Sequence, residues 1–338
     1  MVEDILLTIG IPTYNRKKKL IETLKLLEKQ KNQRFYIVIL DNNSSYNISE
    51  EILKNNFKED FLERIEVKKN SVNIGLEGNL LKILTISKTK WLWTLGDDDI
   101  PLDIAVDNIY KEIEEVSKIG VITFSACSDI EAIHKKLSLE DKEFNNLNDW
   151  VNYLYTRKVS KKDIPNIYIS LNVFNVEYIK EIMPKIVKYM YTAIGHVVYI
   201  LYLQHEKGLG IKTTNKLLIK NGKYDEGESW ANDFIPIMVQ ISTLSHLKLD
   251  KFLNKTEIKK LLELIIWIGP LRCYLECLKR KEKDYRRYYE ILYDTNFKKS
   301  YSYKVRIISY ICLKTYWLFE KIDILNKYVL PLYRKLKW

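Results

Sequence analysis

Three consecutive aspartates, Asp97, Asp98 and Asp99, follow the apolar run Trp91–Leu95 and a single glycine, Gly96. Carboxylates this close repel one another unless a cation neutralises them. A hard divalent ion such as Mg²⁺ or Mn²⁺ takes oxygen ligands and commonly shares them with a substrate diphosphate, whose departing charge it stabilises. The plainer reading is a solvated turn in which Asp99 or Asp103 caps the next helix. Asp41 ends a second apolar run, Phe35–Leu40, and is followed by Asn42-Asn43-Ser44. Its carboxylate could accept hydrogen bonds from a ribose or base, or close an Asx-turn. Asn73-Ile74-Gly75 offers close backbone approach or merely a tight turn, and Asn79, two residues into the following helix, could cap that helix instead. His196 is chemically able to act as a base near neutral pH, yet a lone histidine beside an apolar helix also serves in packing.

These residues need a frame. Ile5–Ile9, Phe35–Leu40, Ile65–Lys69, Trp91–Leu95 and Val121–Phe124 read as strands. Lys18–Gln30, Gly78–Ile86 and Ala105–Val116 read as amphipathic helices between them, with Leu20, Leu24 and Leu27 on one face. The alternation predicts an α/β fold: a mixed, mostly parallel sheet with helices on both faces. In such sheets ligands bind beyond the carboxyl ends of the strands. The polar clusters Pro12-Thr13-Tyr14-Asn15-Arg16, Asp41–Ser44, Asn73–Gly75 and Gly96–Asp99 all fall there. Residues 129–163 resist assignment. Ile167–Phe174 reads as a strand, Tyr178–Tyr189 and His196–Gln204 as helices, and Leu217–Ile219 as a last strand. Beyond Trp230 the chain reads as helical, so the expected domains are 1–230 (halves 1–125 and 126–230) and a helical region, 231–338.

Composition narrows the classes. With 46% hydrophobic and 29% charged residues the 338-residue chain is expected to fold. Cys127, Cys273, Cys277 and Cys312 lack zinc-site spacing and fit free thiols in a reducing cytoplasm. The start of the chain does not resemble a signal peptide, and no apolar run reaches the ~20 residues of a membrane span. The net charge of +11 is concentrated: residues 279–338 hold 16 Lys/Arg and 6 Asp/Glu, a balance of +10. Tyr301, Tyr303, Tyr310, Trp317, Tyr328, Tyr333 and Trp338 are interleaved with those cations. That composition fits peripheral contact with an anionic membrane, or an ordinary helical subdomain with solvated lysines. No nucleic-acid-binding module accompanies it, so nucleic acid is not an expected partner.

Taken together, Ile9–Arg16, Leu40–Ser44, Asn73-Ile74-Gly75 with Asn79, and Leu95–Asp99 resemble glycosyltransferase family 2 over about residues 5–125. The Gly-Asp-Asp-Asp form is similar to the abequosyltransferase-like branch, whose members build bacterial surface polysaccharides. The resemblance implies a GT-A fold and an inverting transfer of a sugar from a nucleotide-sugar to a glycan acceptor, expected to be lipid-linked. It implies that Pro12, Thr13, Tyr14 and Arg16 line the nucleotide pocket and that Asp41 holds base or ribose. Asn73, Gly75 and Asn79 would border the nucleotide, Asp97 and Asp98 would approach ribose and sugar, and Asp99 would be the main ligand of a divalent metal, Mn²⁺ or Mg²⁺. The usual family pattern has an aspartate where Gly96 stands. Where the family supplies an acidic general base, this chain reads Thr192-Ala193-Ile194-Gly195-His196. His196 is therefore the expected base, acting with Asp98, and Asp129, Asp225, Glu226 and Glu228 are the other candidates. The rival reading is a binding or scaffold protein that kept the fold and lost turnover. A nucleotidyltransferase is disfavoured because Ile9–Arg16 lacks a Gly-rich basic loop.

Overall fold

The computed structural model describes residues 4–127, 139–157, 168–220, 234–265, 270, 273–274, 277 and 283–320. The chain divides into two compact units, Met1–Asp225 and Glu226–Trp338. In the first, β1 (Leu7–Thr13), α1 (Lys17–Glu28), β2 (Phe35–Asp41), β3 (Ile65–Lys69), α2 (Gly75–Thr85) and β4 (Trp91–Thr94) follow in turn. Then come β5 (Ile100–Pro101), α3 (Ala105–Ile113), β6 (Ile119–Cys127), β7 (Lys142–Phe144) and α4 (Leu147–Thr156). The unit closes with β8 (Asn172–Asn175), α5 (Ile179–Ile186), α6 (Gly195–Lys207) and β9 (Gly210–Lys220).

The strands form one sheet in the order β3-β2-β1-β4-β8-β6-β9-β5, with β7 pairing β9. The β3-β2-β1-β4 ladders and the β6–β9 ladder are parallel, so the expected α/β class with a mixed, mostly parallel sheet is the one observed. The difference lies at the centre. Of the expected strand 167–174, the described residues 168–174 are not one strand: a 3-10 turn, Ile169–Leu171, precedes β8, which runs antiparallel between β4 and β6. Hydrophobic pattern identifies an element but not its partner, and β8 reaches its place from far along the chain.

Leu20, Leu24 and Leu27 of α1 pack with Ile9, Ile37 and Ile109 on one face of the sheet, as their spacing on a helix requires. On the other face α2 presses close enough that a Cβ on Gly10 would stand 2.7 Å from Ile83. Removal of that clash fixes how near α2 lies, and hence where its first turn meets the strand ends. Register levels those ends: Thr13 lies beside Asp41, and Gly10 beside Thr94.

The second unit contains α7 (Phe234–Ser242), α8 (Lys255–Ile265), α9 (Lys283–Thr295) and α10 (Tyr303–Glu320). Tyr289 of α9 is buried and donates to the carbonyl of Ser309 in α10 at 3.4 Å. No helix among the described residues is long and apolar enough to cross a membrane.

Candidate functional site

The turn after β4 is built from its own backbone outward. Asp99 N–H bonds the Gly96 carbonyl at 3.3 Å, and Thr23 of α1 donates to the carbonyls of Asp97 and Asp99 at 3.0 and 3.2 Å. A Cβ on Gly96 would stand 2.7 Å from Asp99 Oδ2, so the carboxylate folds back over the one residue that leaves room for it. The helix that follows has Ile104 at its N-cap and no side-chain cap, so neither Asp99 nor Asp103 caps it.

The three carboxylates differ. Asp97 is buried and accepts from Thr13 Oγ1 at 2.6 Å and Arg16 at 3.1 Å. Burial pushes its pKa up to about 6, against the pull of Arg16 and Thr13. Asp99 is also buried and accepts from the Tyr168 hydroxyl at 2.7 Å. Burial raises its pKa to about 7, with Ser170 and Tyr168 opposing through hydrogen bonds. Asp98 alone is partly open: its side chain is 23% exposed, and Oδ2 accepts from Arg16 at 2.9 Å. Burial opposes the charge of Arg16, but the two aspartates outweigh it and lift its pKa above the ordinary value. Two of the three acidic groups, Asp97 and Asp98, thus share one guanidinium, and Asp99 has none.

Such a set suits a divalent cation in one limited way. Among the described residues no group of three His, Cys, Asp or Glu could hold a metal. One carboxylate can still serve, because Mg²⁺-type sites complete their shell with water and substrate phosphates. Asp98 presents that carboxylate, while Asp99, expected as the main ligand, turns inward to Tyr168.

The neighbouring turns lock together. Asn15 and Asn43 adopt the left-handed conformation, with φ of 55° and 72°. Asn15 N–H donates to Ser44 Oγ at 2.9 Å, and Asn15 Oδ1 accepts from Ser45 N–H at 2.9 Å. Asp41 is buried and accepts from Ser44 N–H at 2.8 Å. The Asx-type closure is therefore realised at one oxygen, and Lys69 lies 3.7 Å from the other. Pro12 sits in β1 beside Leu40, and Tyr14 is 44% exposed at the rim. Asn42 donates to Asn73 Oδ1 at 2.7 Å and to the Gly75 carbonyl at 3.2 Å, and accepts from Ile74 N–H at 3.0 Å. Gly75 takes φ 78°, and α2 begins there rather than at residue 78. Asn79 is buried, accepting from Asn70 at 2.9 Å and donating to the Leu40 carbonyl at 3.2 Å.

The structure thus joins Thr13, Arg16, Asp97 and Asp98 directly, and ties Asn73 and Gly75 to the end of β2 through Asn42. His196 occupies the first turn of α6, 4% exposed, with its ring edge-on to Phe174 at 6.4 Å. Asp129, Asp225, Glu226 and Glu228 lie outside the described residues. Sequence reasoning missed Thr23, Asn70, Tyr168 and Ser170. Tyr168 and Ser170 become visible only once β8 is paired with β4, where Ser170 Oγ accepts from Gly96 N–H at 2.9 Å.

Comparison with known proteins bears on the family and the fold. The family model described as "Glycosyl transferase family 2" matches residues 8–183. The abequosyltransferase RfbV of Salmonella typhimurium is 33% identical over 99 residues, which is 28% of this chain and 28% of that protein. Among solved structures, S. aureus TarS 1-349 superposes with a TM-score of 0.56 at 13% identity, covering 93% of this chain and 91% of that one. The same protein in complex with UDP-GlcNAc gives a TM-score of 0.56 at 14% identity, covering 93% and 92%. At these identities the likeness is one of fold.

Proposed function

Because the chain belongs to glycosyl transferase family 2, we propose that it moves a sugar, with inversion, from a nucleotide-sugar onto a glycan acceptor. The observation that carries the reading is the convergence of Thr13, Arg16, Asp97 and Asp98 at the carboxyl ends of β1 and β4. In this reading Tyr14 and Asp41 hold the base and ribose, with Pro12 shaping the pocket. Asn73 and Gly75 border the nucleotide on a turn that Asn42 and Asn79 support. Thr13 and Arg16 fix Asp97, which positions the sugar.

Asp98 is the ligand we assign to a divalent metal, Mn²⁺ or Mg²⁺, with Asp99 behind it as a buried support. Such an ion, when bound, stabilises charge on the departing diphosphate. The acceptor hydroxyl attacks the anomeric carbon as the bond to the diphosphate oxygen breaks, and His196 takes the hydroxyl proton. The acceptor we infer is a lipid-linked glycan in bacterial surface polysaccharide synthesis, met at the cytoplasmic face of the membrane. The partial likeness to an abequosyltransferase and the basic, aromatic C-terminal region support this.

The burial of His196 beside Phe174 favours one rival, a scaffold that binds the donor without turnover. Calorimetry with a panel of nucleoside diphosphates, in Mn²⁺ and in chelator, tests the donor site. Metal-dependent binding of one nucleotide, lost in Asp98→Asn, is expected; no binding by folded protein would end the transferase reading. Turnover with the matching nucleotide-sugar, lost in His196→Ala while binding persists, separates enzyme from scaffold.

A further inference from the structure

Helix α10 carries apolar residues outward as well as inward. One face is buried: Ser309 and Cys312 are within the second unit, against Tyr289. The opposite face presents Tyr303, Ile307, Tyr310 and Ile311, each between 41% and 69% exposed. The steps of four, three and one residues place all four within about a third of the helix circumference. Cations stand along the same surface. The Arg306 guanidinium lies over the Tyr303 ring and Lys314 Nζ over the Tyr310 ring, each at 5.5 Å. From Lys298 to Lys314 the chain holds five Lys/Arg and no Asp/Glu.

We propose that the Tyr303–Ile307–Tyr310–Ile311 face of α10, with Lys304, Arg306 and Lys314 beside it, docks on an anionic phospholipid surface. Aliphatic and aromatic side chains that reach the acyl boundary, beside cations that stay among headgroups, form an interfacial helix. Tyrosine suits the boundary because its ring is apolar and its hydroxyl wet. A second copy of the chain is the less suitable occupant. Stripe against stripe would bring two cation-rich surfaces together with no carboxylate between Lys298 and Lys314 to offset them. This inference rests on the membrane part of the function proposed above and is independent of its donor-site part.

The test uses the full chain and vesicles of phosphatidylcholine with or without phosphatidylglycerol. Co-sedimentation is expected with the anionic vesicles, and about tenfold weaker binding with phosphatidylcholine alone or in high salt. The variant Tyr303→Ser/Ile307→Ser/Tyr310→Ser/Ile311→Ser should lose at least about tenfold in vesicle affinity. So should Lys304→Glu/Lys314→Glu, which keeps the apolar face intact and reports on charge alone. Nucleoside diphosphate binding, measured on the same samples, should not change; its loss in the wild type would strike the donor site and leave this proposal standing. Wild-type protein that ignores anionic vesicles overturns the proposal, as do variants that bind them like the wild type. A dimer that the four-serine variant converts to monomer, without vesicle binding, would give the face to a second copy instead.

Discussion

Two of the places where the first unit buries carboxylates, α3 and the triplet, treat them oppositely. Glu112 of α3 is almost wholly buried, yet both its oxygens meet cations: Lys212 at 2.8 Å and Lys216, with Thr214 donating at 3.0 Å. Burial alone would raise its pKa, but the hydrogen bonds from Lys212, Lys216 and Thr214 hold it below the usual glutamate range. Asp97 and Asp99 are raised by their burial, which Arg16, the single cation that reaches the triplet by an ion pair among the described residues, does not offset. A compensated buried acid, with a lysine beside each oxygen, fastens α3 to β9. An undercompensated one holds free energy that a cation can release on binding, which is why perturbed groups concentrate at functional sites.

This contrast can be broken by mutation. The largest effect should come at the triplet, where Asp98→Asn should lower turnover about 1000-fold while unfolding midpoints stay put. Glu112→Ala should do the reverse. It strands Lys212 and should cost about 3 kcal/mol in denaturant unfolding, with nucleotide affinity retained in whatever protein folds. Next is Gly96→Ala, which pushes a methyl group at the Asp99 carboxylate. A loss of about 2 kcal/mol is expected, and an unchanged stability would mean that Asp99 can leave its pocket freely.

The smallest effect is a slope. Asp99, raised to about 7, keeps its proton in the folded state over a range where the unfolded chain, with a pKa of about 3.9, has lost it. Its contribution to stability is therefore full below about pH 4 and falls as pH rises towards 7, by at most about 1.4 kcal/mol per pH unit. Glu112 has the opposite sign: its contribution is present above the unfolded glutamate pKa and is lost as pH falls through its lower folded value. In chelator, Asp99→Asn should flatten the decline between about pH 4 and 7, whereas Glu112→Gln should weaken the response to acid. A wild-type curve that rises through that window would contradict the assignment of a raised Asp99.

The edge that carries the site was legible because four polar turns interrupt apolar runs at matching strand ends. Residues such as Thr13, Arg16 and Asp97 lie close in a local motif or at the end of the next parallel strand. Tyr168 and Ser170 were not legible, since their contact with the triplet depends on β8 entering antiparallel between β4 and β6. The early start of α2 was hidden too. A glycine at φ 78° opens the helix, and the side chain of Asn42, more than 30 residues upstream, holds the turn before it. The expected helix Tyr178–Tyr189 ends at Ile186 and passes into a 3-10 segment, Val187–Thr192, for which the apolar pattern carries no separate signature. Sequence periodicity records which face a residue takes; it does not record which distant side chain completes its hydrogen bonds.

The clasp between Asn15 and the Ser44–Ser45 backbone has a consequence for how binding would look in a calorimeter. Two left-handed asparagines are already held by Ser44, Ser45 and Asp41 before any ligand arrives. In the proposed function these turns meet the nucleotide with little freedom left to lose, and the ordering cost falls on the ligand. Asn15→Ala removes the Oδ1 bonds to Ser45, and the loosened turn should show itself as an added entropic penalty on nucleotide binding.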